Sequence, residues 1–236
     1  MIEGTKIEVE KIDVGRMSYI EAWAMQRERF EALIAHRQAS ALIFVEHPHV
    51  YTLGKSGVEN NLLINASFLE KIGATFVHVD RGGDITYHGP GQMVVYPILD
   101  LVALNISLRD YIYSGCDAKR SKQSTLEESI IGTLAEFGIT AGRSVGATGV
   151  WIDNTRKIAA IGVRASHSVT MHGAALNVTT DLNYFSHINP CGFTDRGVSS
   201  IAAEMARYGR EGGVKMQDVK DVFCRKFTEQ FACKII

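Results

Sequence analysis

Four cysteines, four prolines and two tryptophans are all that 236 residues hold of these types, and the scarcity narrows the field. The cysteines, at 116, 191, 224 and 233, form no C-x-x-C pair and match no zinc-ribbon or zinc-finger spacing. Four are also too few for a disulfide scaffold in a chain this long, so free thiols in a reducing compartment are expected. No apolar run approaches the ~20 residues that a membrane helix needs. Neither sign of charge prevails: 25 Lys and Arg stand against 26 Asp and Glu, a formal charge of −1. That balance speaks against a broad nucleic-acid-binding face. The N-terminal MIEGTKIEVEKIDVG has neither the apolar core of a signal peptide nor the acid-poor character of a transit peptide. A cytoplasmic protein is expected, with a mitochondrial matrix or plastid stroma as the alternative if a presequence has been removed. H-E-x-x-H, G-x-S-x-G and both common nucleotide loops are missing, so no metal site and no nucleotide is indicated.

Hydrophobic residues make up 46% and charged residues 22%, an ordinary globular mixture. No linker or repeat interrupts the chain, and residues 1–236 read as one domain. Residues 6–12 alternate as a strand. From Met17 to Arg37, the residues Ile20, Trp23, Ala24, Phe30 and Ile34 recur at helical spacing. Ala41–Glu46 is short and apolar enough for a buried strand, and Thr75–Asp80 alternates as another. Met93–Leu99 reads as a strand too, but Pro97 cannot donate to a ladder, which predicts an edge position or a bulge. Ser124 and Thr125, three residues before Glu127 and Glu128, offer a capping box for a helix ending near Gly138. Val150–Ile152 and Lys157–Val163 flank Asp153-Asn154, a hairpin pattern. Thr170–Val178 reads as a strand. Val219, Val222, Phe223, Phe227 and Phe231 make one stripe of a last helix. Helices interleaved with hairpins predict an α/β or α+β fold with mixed sheets, not a doubly wound one. Residues 112–124 are polar and basic, as in a surface loop.

Four stretches carry candidate chemistry. Arg81-Gly-Gly-Asp-Ile-Thr-Tyr-His-Gly-Pro-Gly-Gln92 combines four glycines with polar side chains. Its glycines let backbone N–H groups approach a ligand; a glycine-rich hairpin with a surface histidine is the plainer alternative. Asn189-Pro-Cys-Gly192 sets Cys191 in a turn, either as an accessible nucleophile or as a small buried residue. Cys116 falls in the polar loop, and Cys224 and Cys233 look like packing residues. Lys157 opens an apolar strand, either as a solvated strand end or as an amine able to shuttle protons. His172-Gly173 interrupts a strand, where a glycine often marks close backbone approach.

These stretches, with Pro48-His-Val-Tyr-Thr-Leu-Gly54, Gly149-Val-Trp151 and His172-Gly-Ala-Ala-Leu-Asn-Val178, stand in register over residues 40–200. Together they resemble the lipoyl(octanoyl) transferase family. The resemblance implies a fold like that of the biotin- and lipoate-protein ligases, a larger mixed sheet with flanking helices plus a smaller sheet. It implies octanoyl transfer from acyl carrier protein to a lysine of apo lipoyl domains, those of 2-oxoacid dehydrogenase complexes and of the glycine cleavage H protein. It places the nucleophile on Cys191 and its lysine partner on Lys157. Acyl-substrate contacts fall on Arg81, Gly82, Gly83, Asp84, Ile85, Thr86, Tyr87 and His88, on Ala160, Ile161 and Gly162, and on Gly173, Ala174 and Ala175. His88 and His172 are candidates to orient reactants or stabilise an oxyanion. No cofactor is expected, since the acyl group arrives on the carrier's phosphopantetheine, and a monomer is expected. The chain departs from the usual pattern at the 112–124 loop, an apparent insertion, at Ala174, where leucine is common, and at Lys55, where arginine is frequent. The alternatives are an ATP-dependent lipoate- or biotin-protein ligase, which needs no thiol, and a non-catalytic binding module.

Overall fold

The computed structural model describes residues 6–112, 126–144, 146–189, 196–210 and 213–236. Cys191 and Cys116 lie outside the described residues, as do Ser124 and Thr125 of the expected capping box and nearly all of the 112–124 loop. Strand β1 (Glu8–Arg16) is followed by α1 (Tyr19–Ile34), β2 (Ser40–Glu46) and β3 (Val50–Leu53). Helix α2 (Ala66–Lys71) leads to β4 (Thr75–His78), β5 (Ile85–His88) and β6 (Gln92–Ile98). Next come α3 (Leu108–Ile112), α4 (Leu126–Glu136), β7 (Gly142–Ser144), β8 (Ala147–Ile152), β9 (Arg156–Ser166) and β10 (Val169–Asn177). Strand β11 (Gly197–Val198), α5 (Ile201–Arg207), α6 (Met216–Phe231) and β12 (Lys234–Ile235) follow.

The larger sheet has the order β12-β1-β2-β6-β10-β9-β8-β7, with β11 beside β9. Strand β1 runs parallel to both neighbours, while β2, β6, β10, β9 and β8 form antiparallel ladders. The smaller sheet is β4-β3-β5. The helix and hairpin pattern predicts mixed sheets, and a larger one with a smaller one beside it is what the family resemblance implies.

The central strands read as unbroken apolar runs because both faces are covered. Leu42, Phe44, Met93 and Val95 pack on one side with α4 and α6; Ala41, Ile43, Val45, Val94 and Tyr96 pack on the other with α1. All five residues of the α6 stripe are buried. The face of α1 differs from the expected one. Ile20 and Ala24 point to solvent, and Tyr19, Ala22, Gln26, Phe30 and Leu33 point inward. Gln26 can be buried because its Oε1 accepts the backbone N–H of His172 at 2.9 Å. An apolar count misses a polar residue whose partner comes from a distant strand. The start of α1 is held by a capping box between Ser18 and Glu21.

Strand β6 lies at the centre of the sheet, contrary to the edge position that Pro97 suggested. The accommodation is made by β10. Its ladder to β6 stops at Ala174↔Val95, and His172 turns to a φ of +58°. Bonding then resumes where Thr170 N–H donates to the Leu99 carbonyl at 3.0 Å. The missing donor of Pro97 thus falls opposite a break in the partner strand. Glu127, whose expected capping partner Ser124 lies outside the described residues, is buried and accepts Gly149 N–H and Arg143 Nε, each at 3.0 Å.

Candidate active site

A cavity of about 550 Å³ opens between the glycine-rich stretch after β4, the middle of β9 and β10, and the β7–β8 hairpin. Most of its wall is apolar. Of the expected site residues, it brings together Arg81 to Thr86, His88, Lys157, Ala160 to Gly162 and Gly173 to Ala175. Small side chains form the wall where β9 and β10 pair, with Gly173↔Gly162, Ala174↔Ile161 and Ala175↔Ala160 in register.

Backbone contacts fix the glycine-rich stretch. Gly82 N–H donates to the Val163 carbonyl at 2.9 Å, so the loop rides across β9. A side chain at Gly162 would sit 2.9 Å from the Gly82 carbonyl, which is why only glycine suits that crossing. The Arg81 guanidinium is turned inward: Nη2 donates to the carbonyl and Oγ1 of Thr52, at 2.7 and 2.8 Å. Arg81 therefore ties the glycine-rich stretch to β3 of the smaller sheet besides lining the cavity.

Two expected residues lie elsewhere. Alternation along β5 aims Thr86 and His88 at the cavity and Tyr87 away from it. Tyr87 is fully buried in an aromatic stack with Tyr51 and Tyr184, and its hydroxyl bonds His49 Nδ1 at 2.7 Å. His172, displaced by the β10 kink, also misses the cavity; its Nε2 lies 2.8 Å from Asp80 Oδ1.

The buried histidines are neutral. Burial pushes His172 and His47 down to about 4, and His88 well below its ordinary value. Burial alone would raise the Asp80 carboxyl, but His172 and Arg164 hold it below the usual range, so it stays ionised. It is therefore His172 Nε2–H that donates to Asp80, which leaves that N–H no oxyanion duty. His88 is equally committed. Gln92 Nε2 donates to the Tyr87 carbonyl and to Asn177 Oδ1, so Gln92 Oε1 must accept from His88 Nδ1–H, at 2.8 Å. The other ring nitrogen of His88 is then an acceptor, suited to orienting a donor and not to stabilising an oxyanion. Asn177 Nδ2 donates in turn to the Ser199 carbonyl, linking the glycine-rich loop to the chain beyond residues 190–195.

These neutral rings make stability depend on acid. Each folded-state value lies below the unfolded one, so the contribution is complete above pH 6.5 and is lost as pH falls towards about 4. We expect the unfolding free energy, measured from urea titrations, to change little above pH 6.5 and to fall from there towards pH 5, by up to about 1.4 kcal/mol per pH unit for each ring. A constant value over that range would mean that the rings take up protons without unfolding.

Several cavity residues escaped sequence reasoning. Lys157 Nζ lies 4.7 Å from the centre of the Trp151 ring, and the Arg196 guanidinium lies 5.0 Å from it. Arg196 also donates to Ser144 Oγ at 3.2 Å. Trp151, Arg196, Gln92 and Asn177 all line the cavity. The quoted motifs contain three of them, but only the sheet order shows that they meet. Among the described residues, no group of three or more His, Cys, Asp or Glu is placed to hold a metal, and no helix is long and apolar enough to cross a membrane.

The lipoyl protein ligase A/B catalytic domain family matches residues 18–228. An octanoyltransferase of Bacteroides fragilis is 50% identical over 225 residues, covering 92% of this chain and 95% of that protein. The chain belongs to this family. An octanoyltransferase of Flavobacterium johnsoniae is 46% identical over 239 residues, covering 95% and 97% of the two chains. Among solved structures, lipoate-protein ligase A bound with ATP superposes with a TM-score of 0.64 at 15% identity, covering 98% of this chain and 90% of its own. A bipartite lipoate protein ligase from Thermoplasma acidophilum gives 0.62 at 15% identity, covering 99% and 86%. At such identities the family's structures share the fold, and it is the octanoyltransferases that share the sequence.

Proposed function

We propose that the chain transfers an octanoyl group from octanoyl-acyl carrier protein to the lysine of apo lipoyl domains, through a thioester on Cys191. The observation that carries this reading is the 50% identity to an octanoyltransferase over 95% of that protein's length. The cavity supports it: the small side chains of β9 and β10 leave an apolar slot suited to a saturated chain, and polar groups gather at Lys157.

In this reading the Cys191 thiolate attacks the thioester carbonyl and the phosphopantetheine thiolate leaves. The acceptor amine then attacks the new thioester, the C–S bond breaks, and the amide proton passes to a base. Exchange of one thioester for another is nearly isoenergetic, and aminolysis of a thioester runs downhill, so neither step calls for ATP. Lys157 as an ammonium would favour the thiolate, and as an amine would accept a proton. Residues 196–198 run alongside it, with Val198 paired to Lys157. This assignment of acceptor proteins extends to 2-oxoacid dehydrogenase complexes and the glycine cleavage H protein. A cytoplasmic location belongs to the same reading.

Incubation with octanoyl-acyl carrier protein in the absence of ATP, followed by intact-mass and peptide mass spectrometry, tests the proposal. An octanoyl adduct on Cys191, removed by hydroxylamine and passed to an apo lipoyl domain, is the expected result. An unmodified protein that instead octanoylates the domain from free octanoate and ATP would overturn it in favour of ligase chemistry.

A further inference from the structure

In the proposed reaction the reacting end of the cavity lies at Lys157. Its wall follows β9 from there to Gly162, five residues further on, or roughly 17 Å at about 3.3 Å per residue. At Gly162 the glycine-rich stretch crosses β9, with Gly82 N–H on the Val163 carbonyl. The crossing is tight enough that a methyl on Gly162 would lie 3.0 Å from Arg81 Cδ. The seven carbon–carbon bonds of an octanoyl chain, each about 1.5 Å and bent at every carbon, reach roughly 9 Å. With the thioester and the Lys157 side chain at its head, such a chain brings its methyl end up to this crossing.

Asp80 directly precedes the crossing. Its Oδ1 accepts His172 Nε2–H at 2.8 Å, and its Oδ2 accepts from Arg164 Nη1. One carboxylate therefore ties the stretch to β9 and to β10, where Arg164 pairs with Met171 and Val163 with His172. Both anchors are themselves held. The Arg164 guanidinium lies 5.7 Å from the centre of the Phe30 ring of α1. His172 is buried at a φ of +58°, and its N–H is accepted by Gln26 Oε1. A left-handed conformation in a residue other than glycine persists where its surroundings over-determine it. Asp80, Arg164 and His172 stand outside the cavity lining, so they act on the crossing from behind.

We infer that Asp80 is a positioning residue that sets the acyl-chain length, by latching the glycine-rich crossing down on Gly162. The inference rests on the proposed acyl transfer. With the latch in place, a chain longer than octanoyl meets Arg81 and Gly82. Without the carboxylate the hold on β9 and β10 weakens, and the stretch lifts far enough to admit further methylenes.

The test uses the full chain, wild type, Asp80→Asn and Asp80→Ala, with acyl carrier protein charged with chains of eight, ten, twelve or fourteen carbons. Acylation of the enzyme is followed by intact mass without ATP. The wild type should favour octanoyl over dodecanoyl by at least about tenfold in its second-order rate constant, the least that one methylene commands in an apolar pocket. Asp80→Ala removes both arms of the latch and should raise the dodecanoyl-to-octanoyl ratio by at least about tenfold. Asp80→Asn keeps an acceptor for His172 and loses the charge that faces Arg164, so it should raise the ratio less. Arg164→Gln breaks the same arm from the other side and should shift the ratio as Asp80→Asn does, which gives a second reading if Asp80→Ala does not fold. Equal losses for every chain length in folded variants would overturn the inference, leaving Asp80 as a brace alone. A wild type that takes dodecanoyl as fast as octanoyl would overturn it as well. In both cases the acyl-transfer reading stands, because the wild-type acyl-enzyme has formed. If no wild-type acyl-enzyme forms with any carrier, the acyl-transfer reading fails and this inference falls with it.

Discussion

Cys191→Ala should form no octanoyl adduct and should transfer octanoyl groups to a lipoyl domain at least about three orders of magnitude more slowly than the wild type, the scale of loss when a covalent nucleophile is removed. The thermal midpoint should stay within a few degrees, since one sulfur is removed and no charge is buried. The comparison that gives this result its meaning is Lys157→Arg. Arginine keeps the cation over the Trp151 ring, 4.7 Å away in the wild type, but cannot give up its charge near neutral pH. A slowed transfer by Lys157→Arg, roughly 10²-fold, would identify Lys157 as the proton acceptor. Wild-type rates in that variant would show that its positive charge alone is used. Full transfer by Cys191→Ala, measured as octanoyl-domain formed per enzyme in single-turnover assays, would sink the covalent mechanism.

Gly173→Ala is expected to be the most damaging small substitution in the cavity wall. A Cβ at Gly173 would fall 2.2 Å from the Val95 carbonyl oxygen and 2.6 Å from Pro97 Cδ. Neither group can yield: one is backbone of a central strand and the other is part of a ring. Relief would require β10 to move off β6, which would also open the slot between Ala174, Ala175 and β9. We expect a loss of about 3 kcal/mol, at the upper end of overpacking costs, or roughly 10 °C in Tm. Gly197→Ala is the control. The nearest atom to its added Cβ would be Arg156 Cγ at 3.6 Å, an ordinary contact. Equal Tm values for the two variants would refute the steric account.

How much of this could be read beforehand follows a physical division. Patterns that depend on one element's own periodicity were legible, as with the α6 stripe from Val219 to Phe231 and the Asp153-Asn154 turn, where both residues take positive φ. Patterns that depend on a partner were not. Pro97 argued for an edge, but the break that receives it lies in β10, some 75 residues later. Gln26 and Tyr19 were not among the residues counted on the α1 stripe, yet both face inward, and the partner that suits Gln26 is the backbone of His172. At the candidate site, the glycine-rich stretch and Gly173 were legible because close backbone approach leaves glycine as a visible trace, whereas the other small residues of β9 and β10 came from the family resemblance. Tyr87 was misplaced because a motif gives no facing, which only β5 alternation supplies. Arg196 was silent, and Trp151 was visible only as part of a motif, because a cation stacked on a ring has no spacing rule.

The amide of Gln92 offers an observer inside the molecule. Both of its N–H groups are engaged, one to the Tyr87 carbonyl at 3.1 Å and one to Asn177 Oδ1 at 2.9 Å, in a side chain only 1% exposed. Such protons exchange with deuterium only when the surrounding structure opens. In a nitrogen-15 spectrum the pair should therefore appear as a persistent doublet long after other side-chain amides have faded. Its chemical shift would respond to whatever occupies the cavity beside His88, giving a spectroscopic readout of acyl occupancy that needs no label on the substrate.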